Sequence, residues 1–416
     1  MDLTTHEKQM LAGEHGTAVK IAMRILTTMG RVFGAKRLLK IESAHIDGCL
    51  YHGDAGLDFA QKLVDGGAQA IVPTTLNVGA IDLLHPEHFQ GTAVQAEKAK
   101  RQMALYQQMG CLPIWTCAPY QTTQRPLFGQ QIAWAESNAI VFANSVLGAR
   151  TNRYGDFIDI CAAISGRAPE YGLHLAENRR GQIVFHLHEI PDELRQADVL
   201  YPILGYLIGS RSENKIPVIT GLPATTTEDQ LKALGAAAAS SGAVALFHAV
   251  GITPEAKTST DALQGHAPEK EIIVTVPDLE EMRQHLSTVK DGKIDVIALG
   301  SPHFSLAEFK QLLPLLRQYP PKIEFIVCTH RLVLSALEKR GWLTELKALG
   351  VSVVVDTCVV VTPIVRARSG VLMTNSGKFA HYTPGNIGFP VIFGSLEECV
   401  RSAAQGKVWR DGRLWQ

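Results

Sequence analysis

Three short segments place a cysteine at the end of an apolar run: Thr116-Cys117-Ala118-Pro119-Tyr120, Ile326-Val327-Cys328-Thr329-His330-Arg331 and Asp356-Thr357-Cys358. Thiolates hold iron and iron–sulfur clusters from positions far apart in a chain, because coordination needs convergence in space and sets no local spacing rule. Burial as a small apolar side chain is the competing reading for each. Their location at predicted strand ends, where ligands of parallel sheets sit, favours coordination. Cys111, Cys161 and Cys399 fall in amphipathic helical or pre-strand contexts and read as packing residues, whereas Cys49 follows Gly48 in a polar loop and offers a substrate its backbone amide. Seven cysteines, an odd number dispersed over the whole chain, argue against a disulfide framework.

Two further loops carry groups that suit a hydroxy acid. Ser43-Ala44-His45-Ile46-Asp47-Gly48 offers a hydroxyl, an imidazole and a carboxylate, and Thr74-Thr75-Leu76-Asn77-Val78-Gly79 offers two hydroxyls and an amide. Neutral donors and backbone amides grip a carboxylate without a large desolvation cost, and an imidazole can hold or deliver a proton near neutral pH. A capping or Asx turn is the alternative for either loop. Arg150, just after Gly148, could bind a carboxylate bidentately or close a structural salt bridge. The loop from Asn375 to Tyr382 holds one cation, Lys378, that could meet a carboxylate or phosphate. No Gly-rich nucleotide fingerprint follows a strand, and HExxH and GxSxG are absent, which leaves lyase or isomerase chemistry.

These residues need a scaffold that presents strand ends. Leu39–Ile41, Ala70–Val72 and Leu112–Trp115 read as short strands running into polar turns, with helices at 58–65 and 95–109 between them, a βαβ pattern with a mainly parallel sheet. The stretch from Trp134 to Ile164 reads as helix, polar break, helix. Polar residues 254–271 mark a boundary, giving regions 1–260 and 261–416; in the latter, Ile272–Val276, Ile294–Leu299, Ile323–Cys328 and Val351–Val355 read as strands of one parallel sheet. At 416 residues the chain needs two or three domains. Forty basic residues balance forty acidic ones, so no global field draws nucleic acid or an anionic membrane surface. No segment approaches the ~20 apolar residues of a membrane span, and Met1–Glu7 lacks the pattern of a secretory signal, so a soluble cytoplasmic enzyme is expected.

Seven motifs in this order, SAHIDG from Ser43, TTLN from Thr74, TCAPY from Thr116, ESNA from Glu136, NSVLGARTNR from Asn144, DTC from Asp356 and NSGKFAHY from Asn375, resemble the aconitase X family nearly end to end. The resemblance implies an aconitase-like α/β fold, several domains with mainly parallel sheets around a central cleft, together with an iron–sulfur cluster and removal of water from a small hydroxy acid. It implies Cys117 and Cys358 as cluster ligands. Archaeal relatives that dehydrate phosphomevalonate carry a cysteine in a Gly-Cys-Pro-His element; here Gly300-Ser301-Pro302-His303 replaces it with Ser301, and Cys328 is taken as the third ligand. This departure points to the branch acting on cis-3-hydroxy-L-proline. The large subunit of a phosphomevalonate dehydratase and a cluster-free binding subunit are the alternatives. His45 and Lys378 take catalytic roles in this reading, while Ser43, Gly48, Cys49, Thr75, Asn77, Asn138, Ser145, Arg150 and Thr151 contact substrate. The proton-abstracting base is expected to be a serine on a separate small subunit resembling aconitase's swivelling domain, making a heterodimer. If Arg150 binds the substrate carboxylate, Arg150→Ala raises KM strongly in steady-state kinetics; an unchanged KM removes it from the site.

Overall fold

A computed structural model of the protein describes residues 1–415. The chain divides into two compact units, one of Met1–Ile81 with Gly91–Arg180, the other of Asp82–Gln90 with the chain from Gly181 onward. Among the described residues no helix is long and apolar enough to cross a membrane.

In the first unit, β1 (Leu38–Lys40) pairs antiparallel with β5 (Arg167–Pro169), while β2 (Ser43–Ile46) lies between β3 (Thr74–Leu76) and β4 (Ile132–Trp134) in a parallel sheet. The amphipathic helix Thr17–Val32 buries Ala18, Ala22, Met23 and Leu26, the i, i+4 spacing of one face, and packs on helix Ile158–Ser165. The latter buries all but its first residue and sits in the centre of this unit. The expected strand Ala70–Val72 is irregular: its Ala70 and Ile71 amides bond to Met109 and Ala163, and the strand begins beyond Pro73, which has no amide to give. Leu112 contributes an isolated bridge to Thr75, where a longer strand was expected.

The second unit holds two parallel sheets. One has the order β8-β7-β6-β9, from β6 (Ile183–His186), β7 (Pro217–Thr220), β8 (His248–Ala249) and β9 (Lys270–Ile273). β9 was expected in the C-terminal sheet; instead Lys270 registers against Ile183 at this sheet's edge, which its mostly exposed side chains tolerate. The other has the order β12-β11-β10-β13-β14, from β10 (Val296–Leu299), β11 (Glu324–Cys328), β12 (Val351–Val354), β13 (Leu372–Thr374) and β14 (Val391–Phe393). Their β-branched and aromatic side chains fill a core with Phe309, Leu312, Leu316 and Leu346 from the covering helices. Among the described residues all strand pairs but β1–β5 are parallel, so the α/β architecture with mainly parallel sheets holds in both units.

Helices Leu200–Arg211 and Glu228–Gly242 approach so closely that a Cβ on Gly205 would stand 2.1 Å from the Leu234 carbonyl oxygen, and one on Gly209 2.5 Å from that of Ala238. Helix propensity alone makes Gly→Ala stabilising by about 1 kcal/mol; backbone collision reverses the sign here. Gly205→Ala should lower stability by about 1–3 kcal/mol, read as a fall in the urea midpoint, and an unchanged or higher midpoint would refute the packing argument.

Candidate active site

The first unit gathers its chemistry at the C-terminal ends of β2, β3 and β4. His45 is wholly buried, with Nδ1 2.8 Å from Thr75 Oγ1. Burial drives its pKa down to about 3, against the opposing pull of the Thr116 backbone and the Asn77 side chain, so the imidazole is neutral. Asn77 donates to Asp47 Oδ1. The loop is braced from behind: Asp159 accepts from the Asp47 amide at 2.7 Å and the Gly48 amide at 3.4 Å, and Gln102 donates to the Gly48 carbonyl. Gly48 cannot carry a side chain, since a Cβ would stand 2.8 Å from Tyr106 Oη. Cys49 donates to the Ile46 and Asn77 carbonyls, and burial raises its thiol pKa well above the ordinary value, so it enters this loop as a protonated thiol.

Asn138 ties two of the motifs together. Its amide donates to the Cys117 carbonyl and to Glu136 Oε2, and its oxygen accepts from Tyr120, so the cysteine loop and the Glu136 turn move as one. Trp115 and Glu136 adopt positive φ of 45° and 72° beside these motifs, and Asp356 does so at 63° beside Cys358. Three non-glycine residues thus take the sparsely populated positive-φ region beside the candidate motifs, Glu136 and Asp356 just beyond the ends of β4 and β12. Thr151 bonds Trp134 and Asn144 within the framework, and Ser145 is buried in the irregular turn Ala143–Leu147. Arg150 stands apart: its main chain pairs beside Gln131, at the start of β4, and its Nη1 lies 3.5 Å from the His174 carbonyl. Ser43 opens β2 half-buried.

The second unit brings Cys328 and Cys358 together. They follow from adjacent parallel strands, Cys328 ending β11 in register with Val354 of β12, and each is buried. The Cys328 side chain in hydrogen-bond contact, the Val360 amide, the Ser301 hydroxyl and the Lys378 charge outweigh burial and bring the Cys358 thiol pKa down to about 7. A thiolate is therefore accessible near neutral pH. Gly300, φ 88°, permits this crowding, because a Cβ there would lie 2.0 Å from the Cys328 carbonyl oxygen. Ser376 caps the helix that carries Lys378 by accepting from the Phe379 amide and donates to the Ser301 carbonyl.

The residue types at hand fit an iron–sulfur group in one concrete respect: two buried thiols in contact, one with its anion stabilised, form the start of a ligand set. Cys117 lies in the first unit. Cys111, by contrast, is pushed up to about 12 by burial, as an inert packing thiol is.

Comparison with known proteins places the chain in a family. Residues 1–177, 181–284 and 294–405 match the first, second and third domains of aconitase X. The cis-3-hydroxy-L-proline dehydratase of Pseudomonas aeruginosa is 43% identical over 97% of this chain and 70% of its own length; that of Hypocrea jecorina is 40% identical over 98% and 69%. The phosphomevalonate dehydratase large subunit of Methanothermobacter thermautotrophicus is 39% identical over 95% of this chain and 97% of its own. The crystal structure of holo aconitase X from Thermococcus kodakaraensis has a TM-score of 0.87 at 36% identity, covering 97% of this chain and 100% of that one. The chain belongs to the aconitase X family.

Several residues around the site carry no local sequence signal. Lys232 is buried and bonds Glu308, Asp229 and the His303 carbonyl; burial alone would lower its pKa, and the two carboxylates more than reverse this. His303 in turn lies 3.1 Å from the Thr357 carbonyl oxygen, next to Cys358. Only a helical i, i+3 Asp–Lys pair, Asp229 and Lys232, hinted at this support. His174, bonded to Gln131 and Tyr154, is likewise held neutral, with its pKa driven to about 3 by burial and by the charges of Arg179 and Arg150.

For His45 and His174 the folded pKa lies below the unfolded value of 6.5, so the unfolded chain takes up protons first as pH falls. Stability present above that value is lost progressively towards pH about 3. At about pH 5.5 each group costs about 1.4 kcal/mol relative to neutral pH. Urea unfolding at these two pH values should show a smaller acid loss in His174→Gln than in the wild type, by roughly that amount; equal losses would count against a neutral buried imidazole.

Proposed function

We propose that this chain is the cluster-bearing component of a hydro-lyase that removes water from cis-3-hydroxy-L-proline. The observation that carries the reading is the 43% and 40% identity, over nearly the whole chain, to two dehydratases of that name. Identity to the phosphomevalonate dehydratase large subunits runs from 33% to 39%. Ser301, where archaeal relatives carry a cysteine, weighs the same way.

Cys117, Cys328 and Cys358 would hold an iron–sulfur cluster, which when bound supplies a Lewis-acid iron for the departing hydroxyl. The chain's own groups bind and orient. His45, held neutral by burial, and Asn77 are buried polar groups at the strand ends that a small polar ligand can engage. Asn77 and Thr75 fix the position of His45 and Asp47, and Gly48 and Cys49 complete the loop proposed to face the carboxylate. Lys378 sets the local charge at Cys358. Ser43, Asn138, Ser145, Arg150 and Thr151 belong to the same proposal as direct or supporting contacts. The α-proton is taken by a serine on a separate small subunit in a cytoplasmic heterodimer. In support, five relatives that match 92–99% of this chain are named as large subunits.

The second reading, the large subunit of a phosphomevalonate dehydratase, is favoured by the end-to-end match to those five proteins. Anaerobic co-expression with a candidate small subunit, iron and sulfide quantitation, and dehydration assays on both substrates separate the two. The expected outcome is bound iron and sulfide, turnover of cis-3-hydroxy-L-proline alone, and loss of both iron and turnover in Cys358→Ser. Turnover of phosphomevalonate alone transfers the chain to the second reading, and a complex that is active without iron overturns the cluster assignment.

A further inference from the structure

The segment Asp82–Gln90 belongs to the second unit although the chain on both sides of it belongs to the first. It carries an Asp-x-x-His-x-x-His spacing, Asp82, His85 and His88, which no part of the proposed dehydration uses. Pro86 starts a single 3-10 turn over Pro86–His88, and the two imidazoles stack with centroids 5.5 Å apart. His85 Nδ1 lies 3.1 Å and His88 Nδ1 3.8 Å from Asp82 Oδ2, and the three donor atoms all lie within 4.8 Å of one another. Ligand atoms around a tetrahedral ion with bonds of about 2.0–2.2 Å stand roughly 3.3 Å apart, so small imidazole rotations close the set. His88 Nδ1 is buried and makes no hydrogen bond.

The carboxylate is built as a fixed ligand. Asp82 is buried, its Oδ1 accepts from the Leu84 and His85 amides, and its Oδ2 accepts from the Val355 amide. Backbone bonds of this kind hold a ligand's orientation in advance of binding. Asp356 Oδ2 accepts from the Leu83 amide next to Asp82, and the Arg331 guanidinium directs two hydrogen bonds of 2.7 Å at Asp356. One buried carboxylate thus faces two imidazoles.

We propose that Asp82, His85 and His88 bind one divalent transition-metal ion of the zinc type, at a site distinct from the cysteines. Two nitrogens and one oxygen suit borderline ions and offer nothing to a cluster that needs thiolates. The ion ties the segment to the loop leading to Cys358, to which it is already laced by Asp82 with Val355, Leu83 with Asp356, and Gln90 with Pro363. Its place is therefore structural, adjacent to the chemistry.

Cobalt(II) added anaerobically to the purified full chain tests this. The expected result is one cobalt per chain with visible ligand-field bands and no thiolate-to-cobalt charge-transfer band. Zinc should displace it, and iron and sulfide content should stay unchanged. His85→Gln/His88→Gln should weaken cobalt binding by more than about 100-fold, since losing even an outer-shell partner costs about 10–100-fold. If the double variant does not fold, His88→Gln alone, which keeps the His85–Asp82 contact, serves the same comparison. Absence of cobalt binding, a thiolate charge-transfer band, or undiminished affinity in the folded variant would each overturn the site.

Discussion

The parallel register of β10, β11 and β12 is the constraint from which the second unit's chemistry follows. Parallel pairing makes every strand end at the same edge, and ladder hydrogen bonds fix which residues arrive there side by side. Cys328 closes β11 opposite Val354, and the chain of β12 turns through Asp356, at positive φ, to place Cys358 against it. Two thiols 30 positions apart in sequence therefore meet without any local motif that joins them. Gly300 completes the arrangement, because the end of β10 approaches the Cys328 carbonyl more closely than a side chain allows.

Electrostatics in both units follow from burial. Imidazoles removed from water lose their proton-accepting ability, so His45 works as a neutral hydrogen-bonding group. A thiol removed from water loses its acidity unless donors and a cation compensate. Cys111 and Cys358 differ for that reason: the first has only desolvation and the negative charge of Asp159, the second has Cys328, Ser301, an amide and Lys378. The distinction between packing cysteine and candidate ligand is thus one of surroundings.

Much of the scaffold was legible in advance because its signals are local. Alternation of β-branched runs with amphipathic helices marked the C-terminal strands. The misplaced element was β9, whose Lys270–Ile273 carries little burial pattern and whose partner, β6, lies some 90 residues earlier. Ala70–Val72 failed as a strand because an apolar triplet before a proline satisfies its amides elsewhere just as well. Lys232 escaped notice because a lysine on a helix is normally solvated, and its burial is justified only when Glu308 from another helix joins Asp229 of its own.

The sequence by itself determined the family, through seven ordered motifs, and the α/β class, through periodicity that each segment carries alone. It also supplied the candidate cysteines and polar loops, since residue type and strand-end position are local properties. Which thiols meet, that His45 is neutral, that Asn138 links Cys117 to Glu136, and that Asp82, His85 and His88 face one another above the Cys358 loop were decided only by tertiary structure. Proximity, desolvation and charge balance depend on residues distant in sequence, and no window along the chain contains them.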